Sequence, residues 1–315
     1  MAQARAHPNI ALVKYWGKAP GSDNKPASPS ISLTIDELET VTRVSAAKKE
    51  TIRLNGKLVQ DKKISNFLRL FDEAFGTGPL NIESSNNFPT GSGLASSASG
   101  FAALVTALNE TFELGLDLPE RSIWARRGSG SAARSMCSGI ATLEEVSGDW
   151  QAREISAPSR WPLSVVVAIT TENRKSVSSS VGMERSRSTS PFYKAWIANA
   201  TKEFDTCKAA IKNKDFQQLG MITESSCLQM HAVMMSSYPA LIYWNEVTVN
   251  CIRAVREMRS QGLDVFFSID AGPQIKAICL PEGSSKVESL LRNVKGVKRT
   301  INCGLGLGAH TVTND

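Results

Sequence analysis

Two lysines in an apolar segment near the N-terminus are the first residues that could carry chemistry. The segment 7–20, HPNIALVKYWGKAP, predicts a β-strand with Lys14 in its middle and Lys18 at its exit. Neither face of this strand is polar enough for a solvated edge. A buried ammonium group without a partner loses its proton or destabilises the fold. The sequence therefore calls for a carboxylate or a phosphate opposite Lys14.

A carboxylate suited to that pairing ends an apolar strand far along the chain. Asp270 lies in FFSIDAGP, directly before a Gly-Pro turn. Taken alone, an Asp at this position is a turn initiator. Because the strand before it is apolar, Asp270 is also a candidate partner for Lys14.

A glycine- and serine-rich loop, PTGSGLASSAS, leads directly into a helix that is predicted to begin near Gly93. Glycines allow a ligand to approach the backbone, and the first turn of a helix binds phosphate. Ser96 and Ser97 could donate to phosphate or reach Mg²⁺. The loop has neither the Walker A pattern nor the G-x-G-x-x-G pattern. A helix start rich in small residues for close packing is the alternative interpretation.

A second small-residue segment, RRGSGSAARS, adds positive charge. If a helix runs through it, Ser131, Arg134 and Ser135 share one face. Arg134 could then hold a carboxylate or a phosphate through two hydrogen bonds. The alternative is a solvated basic helix end.

The elements that must position these residues indicate an α+β protein of two halves. The chain has 315 residues, 42% of them hydrophobic, and mixes strands with helices without a strict βαβ rhythm. The halves are predicted to be residues 1–187 and 188–315. The C-terminal segment NCGLGLGAHTVTND is predicted to be a mobile tail.

Composition favours a cytoplasmic protein that binds small molecules. Six scattered cysteines without a C-x-x-C pair indicate reduced thiols rather than a zinc site. No signal peptide is recognised, and the longest apolar run is too short for a membrane helix. The net charge is +6, but the basic stretches lack the aromatic residues of a nucleic-acid-binding surface. We therefore expect neither a membrane nor a nucleic acid as a partner.

Together, NIALVKYWGK, NNFPTGSGLASSASGFAAL, RRGSGSAARS and FSIDAGP resemble the mevalonate diphosphate decarboxylases of the GHMP kinase superfamily. The resemblance extends from residue 9 to about residue 280. It implies an N-terminal ATP-binding half like the second domain of ribosomal protein S5, and a C-terminal half of helices on an antiparallel sheet that carries the catalytic Asp. It also implies ATP and Mg²⁺ as cofactors. A homodimer is common in this family.

The implied reaction phosphorylates the 3-hydroxyl of mevalonate 5-diphosphate with ATP and then releases phosphate and CO₂ to give isopentenyl diphosphate. Asp270 would face the hydroxyl as a base or an orienting acceptor, with Lys14 beside it. Arg134 would hold the substrate carboxylate. The resemblance also assigns substrate contacts to Tyr15, Lys18, Ser129, Ser131 and Ser179. It assigns ATP contacts to Ser92, Gly93, Leu94, Ala95, Ser96, Ser97, Arg174 and Lys175, with Ser97 as a magnesium ligand.

Two positions depart from the family pattern and bear on substrate specificity. Gln274 stands where Asn is more common, and Ser180 stands where a basic or larger polar residue can occur. Two related activities stay open as alternatives. One is decarboxylation of mevalonate 5-phosphate to isopentenyl phosphate, and the other is phosphorylation of the 3-hydroxyl without decarboxylation. A basic nucleic-acid-binding module is the alternative of another class.

Overall fold

The computed structural model describes residues 1–21, 23–88, 93–173 and 175–312 of the chain. Its strands are β1 (Ala2–Ala6), β2 (Asn9–Val13), β3 (Ser30–Thr34), β4 (Thr40–Ala46), β5 (Thr51–Leu54), β6 (Lys57–Leu58), β7 (Leu80–Asn86), β8 (Ile140–Val146), β9 (Asp149–Ser156), β10 (Ser164–Ile169), β11 (Val265–Ile269), β12 (Ile275–Cys279), β13 (Arg299–Cys303) and β14 (His310–Thr311). Its α-helices are α1 (Lys62–Phe75), α2 (Ser96–Thr111), α3 (Leu118–Gly128), α4 (Ser179–Thr189), α5 (Tyr193–Asn213), α6 (Phe216–Met235), α7 (Glu246–Ser260) and α8 (Ser284–Arg292). A 3₁₀ helix spans Gly130–Met136, and a short one spans Pro281–Gly283.

The described strands form three sheets, which confirms the predicted α+β class. The first sheet has the order β14-β1-β4-β7-β5-β6 and is mixed, because β5 and β7 run parallel. The second sheet, β2-β3-β8-β9, and the third, β11-β12-β10-β13, are antiparallel. Apolar residues of the second and third sheets, among them Leu12 and Val167, share one core. This packing brings β2, the strand before Lys14, next to β11, the strand before Asp270.

Strand β2 carries Lys14 to this junction, although Lys14 is not in the middle of the strand. The strand ends at Val13, one residue earlier, after an irregularity in register between Ala11 and Val13. Leu12, two residues before the lysine on the same face, is fully buried. The prediction that Lys14 lies in the middle of the strand is therefore wrong, because the strand ends one residue before it. The prediction that Lys14 is buried is confirmed.

Helix α6, which the sequence analysis did not predict, covers the open edge of β11. Because β11 is the last described strand of its sheet, one row of its backbone groups has no described strand beside it. Glu224 accepts a hydrogen bond from the Phe267 N–H at 3.2 Å, and the Cys227 Sγ accepts one from the Ile269 N–H at 3.3 Å. The Ser226 hydroxyl accepts the N–H of Lys14 at 3.1 Å. A single helix thus fixes the segments that lead to both Lys14 and Asp270.

The C-terminal segment is not a mobile tail through residue 312, so that prediction is wrong. Its glycines pack too closely for side chains: a Cβ on Gly306 would lie 2.8 Å from the carbonyl carbon of Ile35. The Gly306 N–H donates to the Thr34 carbonyl at 2.8 Å, and the Ala309 N–H donates to the Ser135 carbonyl at 3.0 Å. Strand β14 then pairs with β1. The segment therefore fastens the third sheet to the first half of the chain.

We predict that a chain truncated after Cys303 is less stable by about 3 kcal/mol or more, because each lost hydrogen bond contributes about 0.5–1.5 kcal/mol. Five backbone–backbone hydrogen bonds, and one from the Gly304 N–H to the Asp36 carboxylate, join residues 304–312 to the rest of the protein. Urea unfolding measures the difference. Leu307→Ala is the matched control, because Leu307 is 58% exposed. Equal midpoints for the truncated and full chains would contradict this prediction.

The division into domains at residues 187 and 188 stays a prediction. Strand β10 (Ser164–Ile169), on the N-terminal side of that boundary, pairs with β12 and β13 on the other side. Within the described residues, no helix has the length and apolar character needed to cross a membrane.

Candidate active site

Asp270 lies between two buried lysines at the junction of the second and third sheets. Its Oδ1 is 2.6 Å from the Nζ of Lys14, and its Oδ2 is 3.1 Å from the Nζ of Lys276. The side chains of Lys14 and Lys276 are 1% and 0% exposed, whereas that of Asp270 is 23% exposed. The carboxylate is thus the member of this triad that a ligand can reach.

The two lysines keep the Asp270 carboxyl ionised. Burial alone would raise the pKa of Asp270, but the charges of Lys14 and Lys276 hold that pKa far below its usual value. Burial lowers the pKa of Lys276, and Asp270 opposes this effect. Lys14 also donates to the hydroxyl of Ser268 at 2.6 Å, which in turn donates to the Ala11 carbonyl at 2.7 Å. The predicted pairing of Lys14 with Asp270 is therefore present.

Arg134 lies in the 3₁₀ helix Gly130–Met136 rather than in an α-helix, with its guanidinium buried. It donates to the hydroxyls of Ser30 and Ser32 and to the Asn9 Oδ1. Asn9 in turn donates to the Ser135 hydroxyl at 2.8 Å. Burial lowers the pKa of Arg134 to about 10, so the group stays charged at neutral pH. The predicted basic group is therefore a buried, positioned cation and not a solvated helix end.

Tyr15 borders the same region, with a neutral phenol aimed at the 3₁₀ helix. A Cβ on Gly130 would lie 2.2 Å from the Tyr15 hydroxyl, so a side chain there would displace the phenol. Burial raises the pKa of Tyr15, which Arg134 and Arg126 oppose. Within the described ranges, this buried hydroxyl has no hydrogen-bond partner. A buried polar group without a partner indicates a place where a ligand can bind.

The remaining predicted substrate residues lie around this tyrosine and along α4. Ser129 is buried, with its hydroxyl 3.1 Å from that of Ser97. Ser131 is half-buried and its carbonyl accepts a hydrogen bond from Asn9. Lys18 is half-buried, burial lowers its pKa, and it donates to the Ser180 hydroxyl at 3.3 Å.

Gln274, the first departure from the family pattern, is fully buried. Its side chain accepts the Thr170 N–H at 2.7 Å and donates to the Thr171 carbonyl at 2.6 Å. This residue therefore ties the Asp270 turn to the end of β10.

Lys175 contacts the turn after Asp270. Its amine donates to the Ser179 hydroxyl at 2.6 Å and to the Ala271 carbonyl at 3.1 Å. Burial lowers the pKa of Lys175 to about 8, and Asp270 opposes this shift. Arg174 and Ser92, two of the predicted ATP contacts, lie outside the described residues. Lys175 and Ser179 therefore lie together beside the Asp270 segment, while the ATP contact of Lys175 and the substrate contact of Ser179 stay predictions.

The start of α2 combines a residue in the left-handed conformation with a close backbone contact to the Asp270 turn. The helix begins at Ser96, three residues later than predicted, and Ala95 precedes it in the left-handed conformation. An alanine at this position offers no side-chain cap for the first helical turn. Gly93, with φ +87°, lies so close to Gly272 that a Cβ would be 2.9 Å from the Gly272 Cα. The loop thus touches the turn that carries Asp270, while Leu94 is anchored in the core.

A cavity of about 140 Å³ opens beside the first turns of α2. Five elements and a connecting segment line it: Thr42, Leu54, Asp61, Lys63, Ile64, Ile82, Ser84, Asn86, Ser96, Ser97, Gly100, Phe101 and Leu104. The Lys63 amine lies 4.9 Å from the centroid of the Phe101 ring. Burial lowers the pKa of Lys63 to about 8. The sequence analysis missed this cavity, because its walls come from segments that no local motif connects.

The donor set fits Mg²⁺ bound together with phosphates. Among the described residues, no group of three or more His, Cys, Asp or Glu side chains could hold a metal ion. Mg²⁺ at nucleotide sites commonly takes few protein ligands and several phosphate or water oxygens. The exposed hydroxyl of Ser97, in the first turn of α2 next to Ser129, suits that role.

Lys276 and Asn9 are the residues of this site that the sequence analysis missed. Lys276 lies within the apolar strand QIKAICL, which is the same signal that singled out Lys14. Asn9 is a buried polar residue in an apolar strand. Both could have been found by asking which other polar side chains in buried strands lacked a local partner.

Comparisons with known proteins identify relatives along nearly the whole chain. Residues 6–153 match a family model for the diphosphomevalonate decarboxylase-like N-terminal domain, and residues 165–305 match one for the mevalonate 5-diphosphate decarboxylase C-terminal domain. The diphosphomevalonate decarboxylase of Candida albicans is 34% identical, with 98% of this chain and 96% of that protein covered.

Solved structures agree with these matches. A structure of MDDEF in complex with MVAPP, AMPPCP and magnesium is 35% identical, with 99% of each chain covered and a TM-score of 0.91. The mevalonate diphosphate decarboxylase of Staphylococcus aureus is 32% identical, with 99% of this chain and 98% of that chain covered and a TM-score of 0.92.

Proposed function

The chain belongs to the diphosphomevalonate decarboxylase family, and we propose that it carries out the family's ATP-dependent decarboxylation of mevalonate 5-diphosphate at Asp270, between Lys14 and Lys276. The products are isopentenyl diphosphate, CO₂, ADP and phosphate. The observation that carries the proposal is the ionised Asp270 carboxylate beside the Gly93 loop. This arrangement supports transfer of phosphate from ATP to a hydroxyl held by Asp270.

In the first step, the oxygen of the substrate 3-hydroxyl attacks the γ-phosphorus of ATP. Asp270 accepts the hydrogen bond or the proton of that hydroxyl. ADP leaves, and the substrate carries a 3-phosphate. Because the lysines hold the pKa of Asp270 so low, the carboxylate is a weak base. Positioning of the hydroxyl and stabilisation of transferred charge therefore contribute more to the rate than proton removal.

In the second step, the C3–O bond breaks and phosphate leaves with the bonding electrons. The carbon–carbon bond to the substrate carboxylate then breaks. Its electrons form the new double bond, and CO₂ departs. Arg134 holds the substrate carboxylate in the orientation that this step needs. The guanidinium is buried and fixed by Ser30, Ser32 and Asn9, so its direction is set before the substrate binds.

The nucleotide binds along the start of α2. The backbone of residues 93–97 holds the ATP phosphates, and the cavity beside Phe101 takes the nucleoside. Ser97 would be a protein ligand of Mg²⁺, which would supply positive charge to the phosphates when bound. Lys175 adds positive charge next to Asp270, where the γ-phosphate arrives.

The diphosphate of the substrate binds beside Tyr15 and the start of the 3₁₀ helix Gly130–Met136. Tyr15, Lys18, Ser129 and Ser131 supply hydroxyl and ammonium donors there. Ser179, beside Lys175, donates to the substrate near the reacting carbon. The unpartnered Tyr15 hydroxyl supports this placement, because a phosphate oxygen would satisfy it.

The proposal is tested by incubating the protein with Mg-ATP and mevalonate, its 5-phosphate or its 5-diphosphate, while ADP and CO₂ are measured separately. We expect equal amounts of ADP and CO₂ with the diphosphate. Equal amounts with the monophosphate alone would move the assignment to monophosphate decarboxylation. ADP without CO₂ would make the protein a kinase and would contradict the roles of Lys14 and Asp270.

We predict that ATP binds more weakly as the pH rises through about 8, since Lys175 and Lys63 have pKa values near 8 and lose their charge there. Asp270 and Lys276 are the charged groups facing Lys175, while Asp61, Lys18 and Lys175 act on Lys63. The dissociation constant should increase about tenfold per amine between pH 7 and 9. Calorimetry at the two pH values measures this change.

Lys175→Met should bind ATP more weakly at pH 7 and should show a smaller dependence on pH. Lys286→Met is the control, because Lys286 is exposed on α8. If the Lys175 variant kept the full dependence, the role of Lys175 would be wrong.

The protein acts on small molecules in the cytoplasm, without a nucleic acid and as a homodimer. Six free, buried cysteines in the structure support a reducing compartment. Light scattering of the purified protein tests the dimer, and a monomeric mass at working concentration would exclude it.

A further inference from the structure

Lys276 contacts both parts of the site that must meet during phosphate transfer. Its Nζ donates to the Gly93 carbonyl at 3.0 Å and lies 3.1 Å from the Asp270 Oδ2. The side chain is fully buried and comes from β12, where Lys276 is paired directly with Ser268 of β11. One ammonium group therefore bridges the ATP loop and the carboxylate.

Lys276 is not a second copy of Lys14. Lys14 contacts the other carboxylate oxygen and donates its second hydrogen bond to the Ser268 hydroxyl, at the junction of the sheets. Lys276 instead donates a hydrogen bond to the Gly93 carbonyl, in the loop before α2. Both lysines therefore keep Asp270 ionised, but within the described part of the loop the contact comes from Lys276 and not from Lys14.

The loop and the Asp270 turn also touch directly, and this contact makes the bridge specific. A Cβ on Gly93 would lie 2.9 Å from the Gly272 Cα, so the two backbones are already in van der Waals contact. Ala95, held in the left-handed conformation, follows two residues later at the start of α2. A shift of the loop relative to the turn would move the γ-phosphate away from the hydroxyl that Asp270 holds.

We propose that Lys276 is a positioning residue that fixes the ATP loop at a set distance from Asp270, so that phosphate and hydroxyl meet in line. This inference rests on the proposed function and deepens it. A misplacement of about 1 Å can cost about a hundredfold in rate, which sets the expected size of the effect. The substrate diphosphate contacts Tyr15 and its neighbours, so its binding should not depend on Lys276.

The test compares Lys276→Met, which removes both contacts, with Lys276→Gln, whose amide can still donate to the Gly93 carbonyl. We expect Lys276→Met to lower kcat by about a hundredfold and to raise the KM for ATP. The KM for mevalonate 5-diphosphate should change by less than about threefold. Loss of a positioning residue lowers kcat without removing the binding that the ground state and the transition state share. Lys276→Gln should recover the KM for ATP but not the full kcat.

Lys286→Met, on the exposed face of α8, is the control and should match the wild type. If the wild type turns over and Lys276→Met retains its kcat, this inference fails while the proposed function stands. If the wild type releases no CO₂, the proposed function fails first. If both Lys276 variants fail to fold, Lys276 belongs to the core and the inference is overturned. Equal losses of kcat and of diphosphate binding would also overturn it.

Discussion

Replacing Asp270 by Asn is expected to lower kcat by about a thousandfold or more, within the range known for loss of a positioned acid or base. The amide fills the same space but cannot accept the proton of the 3-hydroxyl. It also leaves Lys14 and Lys276 buried without their carboxylate. Steady-state release of CO₂ measures the loss. The KM for ATP should not increase, because the remaining positive charge still attracts phosphate.

Asp264→Asn is the matched control for Asp270→Asn. Asp264 is exposed, lies just before β11, and contacts Gln217 instead of a lysine. We expect its kcat to stay within about twofold of the wild type, as for most exposed substitutions. If Asp270→Asn kept more than about a tenth of the activity, the general-base or orienting role would be wrong.

Arg134→Lys should lower kcat/KM for mevalonate 5-diphosphate by about a hundredfold, because one lost hydrogen bond between charged groups costs about 1.5–3 kcal/mol. Lysine keeps the positive charge but lacks the planar fork that Ser30, Ser32 and Asn9 orient. A substrate carboxylate that is not oriented slows decarboxylation, the second step, more than phosphate transfer, the first step. In a single turnover, ADP should therefore appear before CO₂.

Arg126→Lys separates this effect from general damage to the core. Arg126 is fully buried nearby, but it bonds Asp149 and the carbonyls of Asp23 and Trp150. This variant should lose stability while ADP and CO₂ still appear together. Simultaneous release of ADP and CO₂ by Arg134→Lys would contradict the role of Arg134 in decarboxylation.

The sequence predicted the central ion pair because burial of charge is a strong constraint. Lys14 in an apolar segment called for a carboxylate or a phosphate, and Asp270 after another apolar strand could supply the carboxylate. The same reasoning was available for Lys276 in β12, whose burial is complete. Its contact with the Gly93 carbonyl depends on the approach of two distant segments, which local patterns do not report.

Two larger errors have a similar physical origin. Helix α6 was missed because its buried face includes Thr223, Ser226 and His231, so its apolar periodicity is weak. The C-terminal glycines were interpreted as a mobile tail, because a flexible tail and a tightly packed glycine segment look alike in sequence. Only the contacts of Gly306 and Gly308 with Ile35 and Met136 distinguish them.

A crystal structure of the protein with mevalonate 5-diphosphate, a non-hydrolysable ATP analogue and Mg²⁺ would test the central claim most directly. The decisive quantity is the distance from the Asp270 carboxylate to the 3-hydroxyl. The account predicts a hydrogen bond of about 2.6–3.2 Å, with the γ-phosphate beside Lys276 and the substrate carboxylate on Arg134. A 3-hydroxyl bound by another side chain, with Asp270 still paired to both lysines and out of reach, would contradict it.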